Sequence, residues 1–218
     1  MPVSFDNSTC TSLMAETSAS ELLDVVDLND VVVDSKSRGE VHRLQLPHRS
    51  IHVLVFNADG CLLLQKRSMQ KDECAGMWDS SCAGHVEAGQ HYATTAVREF
   101  DEELGVELGA EPEYLFKMSP TAGNGMEFAA VYRVYHEGPF VIAEDEIDEL
   151  EWFNGTQLDR WVDGESALEG AELTTGFCEI WRRYREFSLR NSSQQESPEA
   201  QSGPQHIDQA RDDRELKP

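Results

Sequence analysis

The stretch GHVEAGQ at residues 84–90, followed after seven residues by REFDEELGV at residues 98–106, decides the fold and the chemistry of this chain. Apolar residues recur at helical spacing from Gln90 to Leu104, and a glycine at position 105 is a typical signal for the end of a helix. A loop that leads into a central helix is therefore predicted.

Three glutamates crowd one side of this predicted helix. Glu99 and Glu103 are four residues apart and share a face, and Glu102 lies beside them. Like charges at this spacing destabilise a helix by about 0.2–0.5 kcal/mol per pair, so a bound cation or a buried partner is indicated. The opposite face is apolar and would pack on a core, with the residues Ala93, Val97, Phe100 and Leu104.

Hard oxygen ligands at this density suit Mg²⁺, with Mn²⁺ as the alternative, and such ions activate water beside phosphates. Arg98 is placed to orient a carboxylate, and Gly84 allows a tight loop with an exposed backbone oxygen. The alternative is a solvated amphipathic helix without a ligand, and spacing alone leaves the two interpretations about equal.

The segment resembles the Nudix box, G-x5-E-x7-R-E-U-x-E-E-x-G-U with U apolar, and every specified position matches except one. The resemblance implies a Nudix-type α/β/α sandwich with a mixed sheet, and hydrolysis of a diphosphate linkage. It implies that the metal ligands are Glu99 and Glu103, helped by Glu102 and the backbone carbonyl near Gly84. Catalytic roles are implied for Glu102, Glu103 and Arg98.

The exception is Gln90, which stands where the family has its first glutamate. A neutral amide can still form a hydrogen bond with Arg98, so we expect retuned or weakened activity. Glu87 is a second candidate for the missing charge, with a plain loop carboxylate as the equal alternative.

Members of this family commonly contribute one more glutamate from a later strand, and Glu127 is the favoured match, with Glu146 and Glu149 as rivals. Two further residues are predicted to bind substrate: Arg67 would hold phosphate, and Trp78 would stack on the ligand. The alternative for Trp78 is a place in the core.

The stretch from His48 to Gln90 resembles the Nudix branch close to isopentenyl-diphosphate isomerase. That enzyme needs a cysteine just before the Gly-His pair, where this chain has Ala83. Cys82 is displaced by one residue and would point to the other face of a strand. His48 and His85, like Glu127, match metal-ligating or catalytic positions of the isomerase, with an ordinary polar role as the alternative for both histidines.

The rest of the chain predicts one α/β domain. Hairpins are predicted around the turns at 29–30 and 58–60, later strands in YLFKM, EFAAVYRVYH and EDEIDELEWF, and helices near 157–162 and in TTGFCEIWRRYREFSL. This order favours a mixed sheet between helices. We expect a flexible leader at 1–20, the domain at 21–190 and a disordered acidic tail at 191–218.

The composition limits the partners. With 41 acidic and 18 basic residues the formal net charge is −23, which disfavours binding to long nucleic acids. Five scattered cysteines fit a reducing cytoplasm, and no apolar run is long enough for a membrane span. A small phosphorylated substrate is therefore expected, and a homodimer is left open.

These observations predict a cytoplasmic, Mg²⁺-dependent Nudix hydrolase of a nucleoside diphosphate linked to another moiety. Two alternatives are retained: an enzyme like isopentenyl-diphosphate isomerase, and a binding module whose activity is attenuated through Gln90.

Overall fold

The structure, a computed structural model, describes residues 21–166 and 170–195, so the predicted leader at 1–20 lies outside the described residues. Nine strands and four helices form within these ranges. In chain order they are β1 (Leu22–Val26), β2 (Val32–Ser37), α1 (Arg38–Leu44), β3 (His48–Phe56), β4 (Leu62–Arg67), β5 (Trp78–Asp79), β6 (Cys82–His85), α2 (Tyr92–Leu104), β7 (Glu113–Lys117), β8 (Glu127–Tyr135), β9 (Ile147–Phe153), α3 (Gly155–Val162) and α4 (Thr175–Gln195).

Strand β3 is the centre of a mixed seven-stranded sheet. It runs parallel to β8 along its whole length, from the pair His48 and Glu127 to the pair Phe56 and Tyr135. Strands β6 and β4 pair with β3 in the antiparallel sense, and β4 also carries β5 and β9. Strands β1 and β2 form a separate antiparallel pair. Both predicted hairpins, and the mixed sheet, are confirmed.

Two apolar clusters cover the two faces of this sheet, because successive side chains of a strand point to opposite sides. On one face Ile51 and Val53 of β3 pack against helix α2. On the other face Leu54 of β3 packs with α3 and α4, which contribute residues such as Leu158 and Phe177. The chain is thus an α/β/α sandwich, as predicted.

Helix α2 positions the glutamates. Ala96, Phe100 and Leu104 of this helix are 0% exposed, whereas Val97 of the predicted stripe is only partly buried. Glu103 also belongs to the buried face of the helix, instead of Val97. Its carboxylate accepts hydrogen bonds there from the Gln65 side chain and the Ala83 amide. The residue after the helix is in the left-handed conformation, with φ of 65°, which favours the glycine found there.

Two helices differ from the sequence predictions. Helix α1 was not predicted, since its seven residues carry little apolar periodicity and its stability comes from the burial of Val41 against β1. Helix α4 continues to Gln195, five residues into the predicted tail, because residues 191–195 contain no proline or glycine to end it. The remaining tail, 196–218, lies outside the described residues.

None of the helices in 21–166 and 170–195 is both long enough and apolar enough to cross a membrane. The four cysteines of these ranges, Cys61, Cys74, Cys82 and Cys178, are free thiols.

Candidate active site

A cavity of about 460 Å³ opens along β3 and β6 and has two chemically different ends. Glu99, Glu103 and Glu146 line one end, together with basic side chains. His85 and Glu127 line the other end. The two stretches of the predicted box, residues 84–90 and 98–106, therefore both contribute side chains or backbone to a single cavity.

The backbone of β6 and the carboxylate of Glu99 are in very close approach. A Cβ atom added to Gly84 would lie 2.3 Å from the carboxyl carbon of Glu99. The absence of a side chain at this position is what lets the helix glutamate reach the strand. The strand at Gly84 and the helix at Glu99 form one cradle, as the predicted metal site requires.

Glu103 is the most deeply buried carboxylate of the cradle, with 4% of its surface exposed. The Ala83 amide donates a hydrogen bond of 3.3 Å to Glu103 Oε2, and Gln65 Nε2 donates one of 3.4 Å to the same atom. No lysine, arginine or histidine of the described ranges forms an ion pair with Glu103. An ionised carboxylate buried in this way calls for a cation.

The raised pKa values of Glu99 and Glu103 also indicate a site for a cation. Burial, followed by the charges of Glu99 and Glu146, raises the pKa of Glu103 to about 8. Burial also raises the pKa of Glu99 to about 7, although Arg98 acts in the opposite direction. A divalent cation would reverse these shifts, so the two carboxylates fit Mg²⁺ or Mn²⁺.

Arg98 organises three carboxylates on the outer side of α2. Its guanidinium donates to Glu99 Oε1 at 2.9 Å and to Glu102 Oε2 at 2.7 Å, and lies 3.2 Å from Glu87 Oε1. The side chain of Glu102 is 56% exposed, and it does not line the cavity. The structure thus brings Glu99 and Glu103 together but leaves the third predicted ligand, Glu102, bound to Arg98 outside.

Gln90, the one departure from the Nudix box, does not contact Arg98 through a hydrogen bond. Its side-chain oxygen accepts a hydrogen bond of 3.2 Å from the Thr95 hydroxyl. Within the described residues, Nε of Arg98 is buried without a hydrogen-bond partner. Glu87, the residue weighed as a substitute for the missing charge, lies 3.2 Å from the guanidinium of Arg98.

The three glutamates weighed as the additional carboxylate lie in three different places. Glu146 lines the carboxylate end of the cavity and forms an ion pair with Lys71. The favoured candidate, Glu127, lies at the histidine end. Glu149 is exposed, pairs with Lys66 and does not line the cavity. Glu146 therefore lies near Glu99 and Glu103, whereas Glu127, the candidate favoured from the sequence, lies beside the histidines.

Three histidines form a compact cluster around Glu127. The rings of His42, His48 and His85 have centroids 5.0–5.2 Å apart, and one ligand atom from each lies within 4.8 Å of the others. Glu127 Oε1 is 3.5 Å from His85 Nε2 and 3.7 Å from His48 Nε2. His42 was missed from the sequence because it belongs to the unpredicted helix α1.

This cluster also fits a cation. His48 Nδ1 donates to the Leu46 carbonyl at 2.9 Å, which leaves a lone pair on Nε2, and Nε2 is buried without a hydrogen-bond partner in the described ranges. Burial lowers the pKa of His85 to about 4, so its ring is neutral. Although burial alone would raise the pKa of Glu127, the adjacent imidazoles hold it well below its usual range. Imidazole nitrogens beside a carboxylate are a typical ligand set for a transition metal.

Basic side chains also line the cavity. Arg67, the residue at the end of β4 that was predicted to bind phosphate, lines it together with Lys71. Trp78 does not: it is 3% exposed and meets Phe153 edge-on in the core. The core role weighed for Trp78 is the one that the structure shows.

Ala83 occupies the position at which the isomerase has its cysteine, and its place in the sheet is defined by the strand register. Ala83 faces the cavity opposite His52 in the strand register. Cys82 pairs with Val53, is 0% exposed and lies in the cluster under α2, on the other face of the sheet. Cys82 therefore points to the other face of the strand from Ala83, as predicted, and on that face its thiol lies beside the Glu103 carboxylate.

Buried carboxylates that fit a divalent cation, next to arginine and lysine in one cavity, define a class of metal-dependent enzymes that act on phosphorylated small molecules. The NUDIX domain model matches residues 46–172, and the chain belongs to this family, whose enzymes hydrolyse diphosphate bonds.

Similar proteins carry both names that the sequence suggested. The chain is 39% identical over 188 residues to Nudix hydrolase 3 of Arabidopsis thaliana, in an alignment that covers 75% of this chain and 24% of that protein. It is 33% identical over 160 residues to an uncharacterised Nudix hydrolase of Pseudomonas aeruginosa, covering 72% and 89%. It is 30% identical over 141 residues to isopentenyl-diphosphate Delta-isomerase 2 of Photorhabdus laumondii, covering 63% and 80%.

A similar solved structure supports the fold. A crystal structure of a Deinococcus radiodurans protein superposes with a TM-score of 0.65 at 27% identity, covering 75% of this chain and 98% of that chain.

Proposed function

We propose that this chain hydrolyses a diphosphate linkage in a small substrate, a nucleoside diphosphate joined to another moiety, with Mg²⁺ or Mn²⁺ held by Glu99 and Glu103. The observation that carries the proposal is the buried pair of carboxylates against the Gly84 backbone, without a basic ion-pair partner for Glu103 in the described ranges. The bound ion would neutralise phosphate charge and activate a water molecule.

The protein's own groups complete the site. Arg67 and Lys71 bind the phosphates from the side of the cavity that faces the glutamates. Arg98 fixes the orientation of Glu99 through the 2.9 Å hydrogen bond. Glu146, which lines the same end, is the group that takes the proton from the attacking water. Glu127 acts at the histidine end, where it completes a ligand set.

A substrate panel tests this proposal. Nucleotide sugars, dinucleotides, nucleoside diphosphates and isoprenoid diphosphates are incubated with Mg²⁺ or Mn²⁺, and phosphate-containing products are measured. We expect turnover of at least one nucleotide derivative, and a loss of about 100-fold or more in Glu103→Gln and Glu146→Gln. The exposed Glu149→Gln is the matched control. Equal turnover by wild type and Glu103→Gln would reject the proposal.

The cluster of His42, His48, His85 and Glu127 favours isomerisation of isopentenyl diphosphate as a second candidate function. Against it stands Ala83, which puts a methyl group at the position of the proton-transfer cysteine. We therefore expect no allylic isomer when the protein is incubated with isopentenyl diphosphate and divalent metal. Accumulation of that isomer would replace the hydrolase proposal.

The cellular setting is proposed on the same basis. Free thiols at all four described cysteines suit the reducing cytoplasm. The net charge of −23 suits a small metal-bridged ligand better than a polynucleotide. A homodimer stays an open prediction.

A further inference from the structure

A connected row of polar side chains lies along the wall of the cavity and begins at His52 of β3, on the face of the strand that α4 covers. It consists of His52, Ser80, Asp79 and Arg67. The side chains of His52 and Asp79 are each 9% exposed, and Ser80 is 0% exposed. Leu54, two residues along β3 on the same face, is 0% exposed and belongs to the apolar cluster under α4. Polar groups in such a place destabilise the fold unless they are hydrogen-bonded, so their partners define their role.

The hydrogen bonds fix the tautomer of His52. The Asp79 carboxylate can only accept, and it accepts from the Ser80 amide at 2.7 Å and from the Ser80 hydroxyl at 3.2 Å. We assign the single hydroxyl proton of Ser80 to the carboxylate, which can only accept, and with this assignment Ser80 Oγ accepts the 2.6 Å hydrogen bond from Nδ1 of His52. Asp79 Oδ1, 3.9 Å from Nδ1, also favours a proton there. The lone pair of the imidazole is therefore on Nε2.

Nε2 of His52 is open to a ligand. No group in the described ranges forms a hydrogen bond with it, and it is not among the fully buried polar atoms. His52 lines the cavity, and its strand partner Ala83 presents only a methyl group on the same face. A hydrogen-bond acceptor held by two further side chains thus faces the space where a substrate would lie.

The position of this acceptor relative to the phosphates follows from Asp79. Asp79 Oδ2 is 3.9 Å from Nη1 of Arg67, so one carboxylate contacts the arginine on one side and the serine that holds His52 on the other. Arg67 lines the cavity together with Lys71. The acceptor therefore lies beside the phosphate-binding groups.

We propose that Nε2 of His52 accepts a hydrogen bond from a hydroxyl group on the carbon skeleton attached to the diphosphate, such as that of a ribose or hexose, and so selects hydroxylated diphosphates over hydrocarbon ones. The inference rests on the proposed function for the position of the diphosphate. An isoprenoid chain would leave this buried acceptor without a partner, and sites built to bind a hydroxyl group strongly reject ligands that lack it.

Equilibrium binding tests the proposal directly. Dissociation constants for ADP-ribose, UDP-glucose, isopentenyl diphosphate and geranyl diphosphate are measured by calorimetry in Mg²⁺ for the wild type and His52→Phe. We expect a hydroxylated probe to bind at least about 10-fold more tightly than both isoprenoids. The phenylalanine keeps a ring but removes the acceptor, so it should weaken binding of that probe by about 10- to 100-fold and of the isoprenoids by less than about threefold.

Controls separate this role from a structural one. His52→Gln keeps an acceptor oxygen and should retain part of the selectivity, whereas a merely structural histidine would give two variants that weaken all four probes alike. The inference is overturned if no hydroxylated probe is preferred by the wild type, or if His52→Phe affects both classes equally. Hydrolysis of the same probes is measured separately. Selective binding without hydrolysis would reject the proposed function and leave the role of His52 standing, and unselective hydrolysis would do the reverse.

Discussion

At the scale of single residues, the charge around Arg98 decides how well Glu99 is held. The family's glutamate is replaced by Gln90, whose side chain turns to Thr95, while Glu87 contacts the arginine from the loop. We propose that Glu87, three residues earlier in the chain, compensates for the change at Gln90. The site is complete in charge although its sequence departs from the family pattern.

This compensation predicts unequal effects of two substitutions. Glu87→Gln should lower kcat/KM by about two- to fivefold, because a partly exposed ion pair is worth about 0.2–1 kcal/mol and its loss loosens Arg98. Gln90→Glu should raise kcat/KM by less than about fivefold, since Arg98 already has its charge partners. Steady-state kinetics on the best substrate of the panel measures both.

A double variant is the control for this pair. Glu87→Gln combined with Gln90→Glu should recover the wild-type rate, because one carboxylate again faces Arg98. A gain of 100-fold or more in Gln90→Glu alone would instead mark the natural protein as an attenuated member of the family.

At the scale of elements, the contact between β6 and α2 sets the geometry of the cradle. Gly84→Ala should push Glu99 away from the strand, since the added Cβ would lie 2.3 Å from its carboxyl carbon. Displaced ligands typically weaken metal binding by about 10- to 100-fold, so the Mg²⁺ concentration at half-maximal rate should rise by that factor. The rate measured as a function of Mg²⁺ concentration shows the effect.

A matched glycine gives the control for that substitution. Gly155 begins α3 and has open space where a Cβ would be added, so Gly155→Ala should leave the Mg²⁺ dependence unchanged. An unchanged Mg²⁺ dependence in Gly84→Ala would show that Glu99 does not hold the ion.

The elements that could be predicted from sequence are those whose signal is local. Helix α2 has an apolar period and a glycine stop, and the hairpins have turn residues between alternating strands, so local chemistry was enough. Helix α1 is stabilised by Val41 packing on β1, a contact between distant parts of the chain. His42 was lost from the predicted site together with that helix.

The choice among the later carboxylates could not be made from the sequence for a related reason, and the role of Glu127 stays a prediction. Glu127 begins β8 and Glu146 precedes β9, and the strand order of the sheet brings Glu127 beside the histidines and Glu146 near Glu99 and Glu103. Sequence spacing carries no information on that order. The box glutamates could be predicted because four residues on a helix define a face by themselves.

At the scale of the whole molecule, the buried carboxylates link metal binding to stability. Glu103 has a pKa of about 8 in the folded, metal-free protein, against 4.5 as its ordinary value. The folded state therefore binds more protons than the unfolded state between these values, and stability falls as the pH rises through this window. The loss is complete above pH 8 and is on the order of 5 kcal/mol for a shift of this size.

Unfolding by denaturant, followed from pH 5 to pH 9, measures this effect. The metal-free wild type should lose stability across the range, Glu103→Gln should show a flatter profile, and saturating Mg²⁺ should restore the wild type at high pH. A metal-free protein that is equally stable at pH 5 and pH 9 would contradict the burial of an uncompensated carboxylate.

The central claim is that water attacks phosphorus in the cavity formed by Glu99, Glu103 and Gly84. The most direct test is turnover of the best substrate in H₂¹⁸O with Mg²⁺, followed by mass spectrometry of the products. One ¹⁸O atom per turnover in a phosphate-containing product is predicted for the wild type, with at least about 100-fold less labelled product from Glu103→Gln. Label in an alcohol product, or equal labelling by wild type and variant, would contradict the claim.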